Sequence, residues 1–98
     1  MNEIVTVIAH ARAKPGQHER AREILEELVA PSRKEKGCIN YDLHQSVDHP
    51  DLFVFHENWT SMEALAAHAK SEHIARFRKK SDDVLEEPPI VSCWKRLM

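Results

Sequence analysis

The stretch that decides the fold is Phe53-Val54-Phe55-His56-Glu57-Asn58-Trp59, which runs directly into Thr60-Ser61-Met62-Glu63-Ala64-Leu65-Ala66-Ala67-His68. Its first half is rich in aromatic residues and predicts a strand, while a capping pattern and an alanine-rich run predict a helix immediately afterwards. Strand alternation places Phe53, Phe55, Glu57 and Trp59 on one face. Burying a carboxylate among aromatic side chains costs free energy unless the group is paired with a partner or serves a function. Such surroundings also raise its pKa. Glu57 is therefore a candidate for proton transfer.

The same patterns, followed outward, predict the order β-α-β-β-α-β. Predicted strands cover residues 3–11, 38–46, 52–59 and 90–97. The first helix starts near Gln17 and carries an apolar stripe with helical spacing: Ala21, Ile24, Leu25, Leu28 and Val29. Pro31 is expected to break it, and Ser32 is expected to cap one further short turn. The second helical region contains a further stretch after Ser71. This order predicts an α+β fold of the ferredoxin-like type.

Length and composition predict one domain, residues 1–98, with 42% apolar and 31% charged residues, as in ordinary globular proteins. A net charge of −2 gives no field that attracts nucleic acid, and no apolar run could span a membrane. The basic cluster at residues 76–80 is interpreted as a solvated helix face. The N-terminus lacks the pattern of a signal peptide, so a cytoplasmic location is expected. Cys38 and Cys93 are accordingly predicted to be free, buried thiols.

The strands are apolar on both alternating sets of positions. Ile4 and Ile8 point away from Val5 and Val7 in the first predicted strand. A ferredoxin-like sheet has helices on one face only, and a large bare apolar face is unusual in a monomer. A second copy packed sheet against sheet would cover it, so the sequence predicts a homodimer.

Seven histidines are many for this length, but their spacing does not match a zinc motif, so no metal is expected. His68 falls at the edge of the apolar stripe of its helix, and His73 would fall within that stripe if the helix continued. Either imidazole could act as a general base near neutral pH. His10 and His44 lie in predicted strands, where they either face a pocket or are satisfied core residues. With no glycine-rich phosphate loop, no nucleotide cofactor is expected.

Several blocks of sequence, taken in order, resemble the antibiotic biosynthesis monooxygenase domain. They are Lys-Pro-Gly at 14–16, Glu-Lys-Gly-Cys at 35–38 with Tyr-Asp-Leu at 41–43, Phe-His-Glu-Asn-Trp at 55–59 and the helical run at 64–73. The resemblance implies a ferredoxin-like dimeric α+β barrel in which each subunit holds a pocket between sheet and helices. Its pattern maps onto Glu57, Trp59, His68 and His73.

The function that this resemblance implies is a cofactor-independent monooxygenase acting on a small phenolic or quinol-type aromatic, with dioxygen as the second substrate. The expected catalytic residues are His68, Glu57 and His73, with Glu57 holding the histidine. The expected substrate-binding residues are Trp59, Phe55, Tyr41, His10 and His44. Two alternatives stay open: an isomerase acting on a small carbonyl or signalling-sugar compound, and a non-enzymatic dimeric binding module.

Overall fold

Two antiparallel strands at the centre of the sheet, β1 and β3, organise the molecule. The computed structural model describes residues 3–98. The elements are β1 Val5–Arg12, α1 His18–Glu26, α2 Val29–Arg33, β2 Cys38–Gln45, β3 Leu52–Trp59, α3 Met62–Ala69, α4 Glu72–Ser81 and β4 Ile90–Trp94. The sheet order is β2-β3-β1-β4, and every neighbouring pair is antiparallel. The predicted ferredoxin-like α+β fold is confirmed.

Alternation divides the sheet into an inner face, which the helices cover, and an outer face, which no helix of the described part of the chain covers. Val5, Val7, Ala9 and Ala11 of β1 are buried on the inner face, together with the aromatic residues of β3. The stripe predicted on the first helix packs against them: Ala21, Ile24, Leu25 and Leu28 are all buried. The hydrophobic core therefore lies in one layer between the sheet and the helices.

The positions of His10 and His44 correct the sequence-based prediction. Both are exposed, and both are cross-strand neighbours of Val54, so they lie on the outer face. In β1 the inner-facing residues have odd numbers, and in β2 they include Tyr41 and Leu43, which leaves His10 and His44 pointing the other way. Neither histidine can line a pocket between the sheet and the helices, and neither is a core residue.

Three local features shape the ends and edges of these elements, and the first of them differs from prediction. The first helical region breaks after Glu26. Pro31 lies inside the first turn of α2, where a backbone N–H would have no partner within the helix, so the N–H that proline lacks is not a lost hydrogen bond. Helix α3 is capped by Ser61, whose Oγ accepts from the backbone N–H of Ala64 at 3.1 Å. A register shift between Cys38 and Asn40 turns Ile39 outward, and 51% of that residue is exposed.

The two cysteines are free, but their burial differs from prediction. Cys38 is half-buried at the start of β2, whereas Cys93 is exposed on β4. Because β4 pairs only with β1, it forms an edge of the sheet, and four of its five residues are exposed. The prediction that both thiols are buried is therefore wrong for Cys93.

The basic run at residues 76–80 lies on α4 with Phe77 turned into the core and its four charged residues exposed, as a solvated helix face requires. No helix in residues 3–98 has both the length and the apolar character needed to cross a bilayer.

Candidate functional site

A cavity of about 730 Å³ lies between the inner face of the sheet and the helices α3 and α4. Its walls are mainly apolar. They include residues of the sheet, of the helices and of the connecting segments: Val7, Ala9, Leu28, Phe55, Leu65, Ile74, Phe77, Pro88, Pro89 and Val91. Polar groups occur in two places: Tyr41, Glu57 and His68 form one group, and Arg78, Ser81 and Asp82 form another. A largely apolar cavity with a few polar groups is typical of a small-molecule site.

Helix α3 borders this cavity instead of closing it. Met62 is 56% exposed and Ala66 is also exposed, and both line the cavity. His68 is the buried residue of α3, at 7% exposure. The helix thus presents both its buried histidine and several apolar side chains to the cavity.

Glu57 is a buried carboxyl group that lines the cavity, with 3% of the residue exposed. Its Oε1 accepts a hydrogen bond of 2.8 Å from Nε1 of Trp59, which lies two residues along on the same face of β3. Burial raises the pKa of Glu57 to about 7, the Trp59 hydrogen bond opposes that rise, and the negative charge of Glu35 adds to it. The group can therefore gain or lose a proton near neutral pH.

His68 is held between aromatic rings and a carboxylate. Its ring centroid lies 4.7 Å from that of Trp59 and 5.3 Å from that of Tyr41. Its Nδ1 lies 2.5 Å from Oε2 of Glu35, whereas its Nε2 makes no hydrogen bond among residues 3–98. Burial lowers the pKa of His68 although Glu35 opposes this, so the ring is neutral at neutral pH.

His73 contacts the same carboxylate as His68 but does not line the cavity. Its Nε2 is 3.4 Å from Oε2 of Glu35 and 3.2 Å from Oγ of Ser71, and it is absent from the cavity wall. Trp59 is fully buried and does not reach the cavity surface either. Of the eight predicted site residues, the cavity is lined by four: Tyr41, Phe55, Glu57 and His68.

Glu35 is the residue that the sequence-based prediction missed, and it replaces Glu57 as the carboxylate that holds His68. The pattern Ser32-x-x-Glu35 had been interpreted as a helix cap. Its place at the start of the Glu-Lys-Gly-Cys block at residues 35–38, two positions before a glycine, was the available signal. The two partners are 33 positions apart in sequence, so only tertiary packing brings them together.

The donor atoms of Glu35, His68 and His73 lie within 4.8 Å of one another, so a metal ion has to be considered. Two ligands on one transition metal, each about 2.0–2.2 Å from it, are usually about 3 Å or more apart. The 2.5 Å separation between Glu35 and His68 is a hydrogen-bond distance instead. The arrangement therefore fits a hydrogen bond between the carboxylate and the imidazole better than a metal site.

The raised pKa of Glu57 leads to a prediction about stability and pH. In the unfolded chain this carboxyl ionises near its ordinary value of 4.5, and in the folded protein near 7. Between these values the folded state holds a proton that the unfolded state has lost, so the contribution of Glu57 to stability falls as pH rises. Relative to wild type, Glu57→Gln should gain stability between pH 4.5 and 7 and change little above that range.

Urea denaturation of both proteins at pH 5, 6, 7 and 8 measures this difference. Glu63→Gln is the matched control, because Glu63 is an exposed residue of α3, and its difference from wild type should not follow the same trend. A difference between wild type and Glu57→Gln that stays constant from pH 5 to 8 would contradict a raised pKa at Glu57.

Comparison with known proteins gives consistent matches over the whole fold. Residues 4–80 match the family model described as antibiotic biosynthesis monooxygenase. Putative monooxygenase Rv0793 of Mycobacterium tuberculosis is 34% identical over 94% of this chain and 90% of that protein. Probable quinol monooxygenase YgiN of Escherichia coli is 35% identical over 85% of this chain and 90% of that protein.

Among solved structures, PA3566 from Pseudomonas aeruginosa superposes with a TM-score of 0.94 at 38% identity, covering 100% of this chain and 98% of that one. Some relatives are longer: the chain spans 62% of an uncharacterised Synechocystis protein, sll1783, to which it is 29% identical over 93% of its own length.

Proposed function

Since this chain belongs to the antibiotic biosynthesis monooxygenase family, we propose that it is a monooxygenase that oxidises a small phenolic or quinol-type aromatic with dioxygen, without a bound cofactor. The observation that carries this proposal is the mainly apolar cavity of about 730 Å³ with an imidazole, His68, and a carboxyl group, Glu57, in its wall. The names of the relatives from M. tuberculosis and E. coli support the same class of reaction.

The chemistry follows from what a phenol or quinol needs in order to react with dioxygen. Without a flavin or metal, the substrate itself supplies the electrons, and it does so far more readily as the phenolate than as the neutral phenol. One oxygen atom then enters the ring, and the other leaves as water with two hydrogens that the substrate loses, so a quinol ends as a hydroxylated quinone and no external reductant is needed. The protein has to remove the phenolic proton, hold the ring in place and exclude bulk water from the reactive intermediate.

The proposed roles follow the position of each side chain in the wall. Nε2 of His68 has no partner among the described residues, so it accepts the phenolic proton. Glu57, with its pKa raised to about 7, exchanges a proton with a second oxygen of the substrate. Phe55 and Leu65 supply apolar surface against the aromatic ring. Dioxygen requires only apolar space.

The test is oxygen consumption with a panel of quinols and polycyclic phenols, followed with an oxygen electrode and by mass spectrometry of the products. The proposal predicts stoichiometric uptake of dioxygen and the gain of one oxygen atom from ¹⁸O₂. Conversion without uptake would favour an isomerase instead, and binding without conversion would favour a binding module. Either of those two outcomes would contradict the proposal.

We also propose that the protein is a homodimer assembled through the outer face of the sheet. No helix within residues 3–98 covers that face, and Ile90 and Trp94 lie there with 57% and 58% of each residue exposed. Covering such a surface removes apolar area from water, which favours association.

Light scattering coupled to size exclusion at micromolar concentration should therefore give about twice the chain mass of 11.3 kDa. The substitution Trp94→Asp should shift the equilibrium toward the monomer, while Glu63→Gln on α3 should not. A stable wild-type monomer under these conditions would rule out the dimer.

A further inference from the structure

We propose that Glu35 is a positioning residue of this site: its carboxylate holds the imidazole of His68 with the proton on Nδ1, which leaves the lone pair of Nε2 available on the cavity side. The proposal rests on the proposed function, because it takes His68 as the base. It adds a residue, outside the cavity wall, that determines whether His68 can act in that way.

The hydrogen-bond geometry determines the tautomer. An ionised carboxylate can only accept hydrogen bonds, so the proton between Oε2 of Glu35 and Nδ1 of His68 belongs to the imidazole. A neutral imidazole has one N–H, and placing it at Nδ1 leaves Nε2 unprotonated. A free histidine has no such constraint, and a ring that carried its proton on Nε2 could not accept one from a substrate there.

The position of Glu35 is determined by the loop that joins α2 to β2. The loop is closed on itself by hydrogen bonds from the Glu35 N–H to the Ser32 carbonyl and from the Cys38 N–H to the Glu35 carbonyl, both 3.1 Å. Gly37 then has φ of +88°, a conformation that favours glycine. These contacts give the loop one shape, with the Glu35 side chain directed at α3.

The same loop is packed tightly against α3. The Gly37 carbonyl accepts from the Thr60 N–H at 2.9 Å, and a Cβ on Gly37 would lie only 2.5 Å from Cβ of Ala64. Ala64 and His68 are four residues apart, so they share one face of the helix. The loop therefore runs along the face of α3 that carries His68, with Gly37 against one turn and Glu35 against the next.

A second histidine contacts the same carboxylate oxygen. Nε2 of His73 lies 3.4 Å from Oε2 of Glu35, and the Glu35 side chain is only 18% exposed. Besides Glu35 and His73, the titratable or charged groups around His68 are Tyr41 on β2, Glu57 on β3 and Arg78 on α4. Among these groups Glu35 is the one in direct hydrogen bond with His68, so its removal should act most strongly on that ring.

The experiment combines kinetics of Glu35→Gln with the matched control Glu63→Gln, an exposed residue of α3. Glutamine keeps the shape of the side chain and removes its charge. We expect kcat to fall roughly ten- to a hundredfold, the range known for metal-bound histidines that lose the partner orienting them, with little change in KM. The acid limb of the pH profile should move to lower pH, since the carboxylate no longer favours the protonated ring. Glu35→Asp should recover part of the rate.

A second measurement on the unmodified protein does not depend on activity. Long-range proton–nitrogen NMR correlations of the histidine rings should report His68 as the tautomer protonated at Nδ1, with the signal assigned by its loss in His68→Asn. Finding the proton on Nε2, or finding that Glu35→Gln leaves kcat and the pH profile unchanged, would overturn the proposal. If no substrate consumes oxygen, the proposed function fails, while the NMR result still decides the role of Glu35 on its own.

Discussion

Replacing His68 by alanine is expected to lower turnover roughly 10²–10⁴-fold, the usual contribution of a positioned general base. The loss should appear in kcat more than in KM, because the apolar walls that bind the ring remain. Steady-state oxygen uptake with the best quinol of the panel measures it. In the wild type the rate should rise with pH and level off below the ordinary histidine pKa of 6.5, since burial lowers the pKa of His68. That rise should be missing in the variant.

Two further variants separate catalysis from packing. His68→Asn can still donate to Glu35 from near the position of Nδ1, but it has no equivalent of Nε2, so it should fold like the wild type and be as inactive as the alanine variant. His49→Ala changes an exposed histidine in the turn before β3 and should have full activity. An active His68→Asn protein would show that another group removes the proton.

The second large effect is expected at Trp59, whose side chain is completely buried. Trp59→Ala should lower the free energy of unfolding by about 3–5 kcal/mol, as is usual when a buried aromatic is truncated. It removes ring contacts with Tyr41 and His68 and the hydrogen bond to Glu57. Urea denaturation at pH 8 measures the loss, with the oligomeric state checked beforehand.

Trp59→Phe separates the hydrogen bond from the volume. It keeps most of the aromatic surface and removes the Nε1 donor, so it should cost about 1–3 kcal/mol, the usual effect of leaving a buried acceptor unpaired. The cost should be larger at pH 8 than at pH 5, because the hydrogen bond is stronger to the ionised carboxylate than to the neutral acid. A cost equal at both pH values would mean that Glu57 does not change its charge in this range.

Much of the fold follows from local patterns in the chain. The strand predicted at residues 52–59 has those same limits as β3, because alternating aromatic residues are bounded by a turn before it and a serine cap after it. The shared face of Glu57 and Trp59 was likewise predictable, since side chains two positions apart in a strand point the same way. The inner packing of α1 followed from its apolar spacing.

The site was predictable only in part. Tyr41, Phe55, Glu57 and His68 were identified from strand and helix faces, whereas His10 and His44 were assigned to the wrong side of the sheet. Neighbouring residues in a strand point in opposite directions, but which of the two alternating sets of residues faces the helices depends on where the helices pack. Glu35 was missed because its partner lies on another element, 33 positions away.

The sequence by itself determined the order of the elements, the ferredoxin-like fold and the presence of an acid and an imidazole near one sheet face, since these depend on periodicity and on neighbours along the chain. Only the tertiary structure decided that Glu35 rather than Glu57 holds His68, that His73 contacts Glu35 without lining the cavity, and that Met62 lines a cavity. Those outcomes depend on how the α2–β2 loop meets α3. Contacts between segments that are distant in sequence depend on packing and backbone geometry in three dimensions. Local sequence patterns do not predict these contacts.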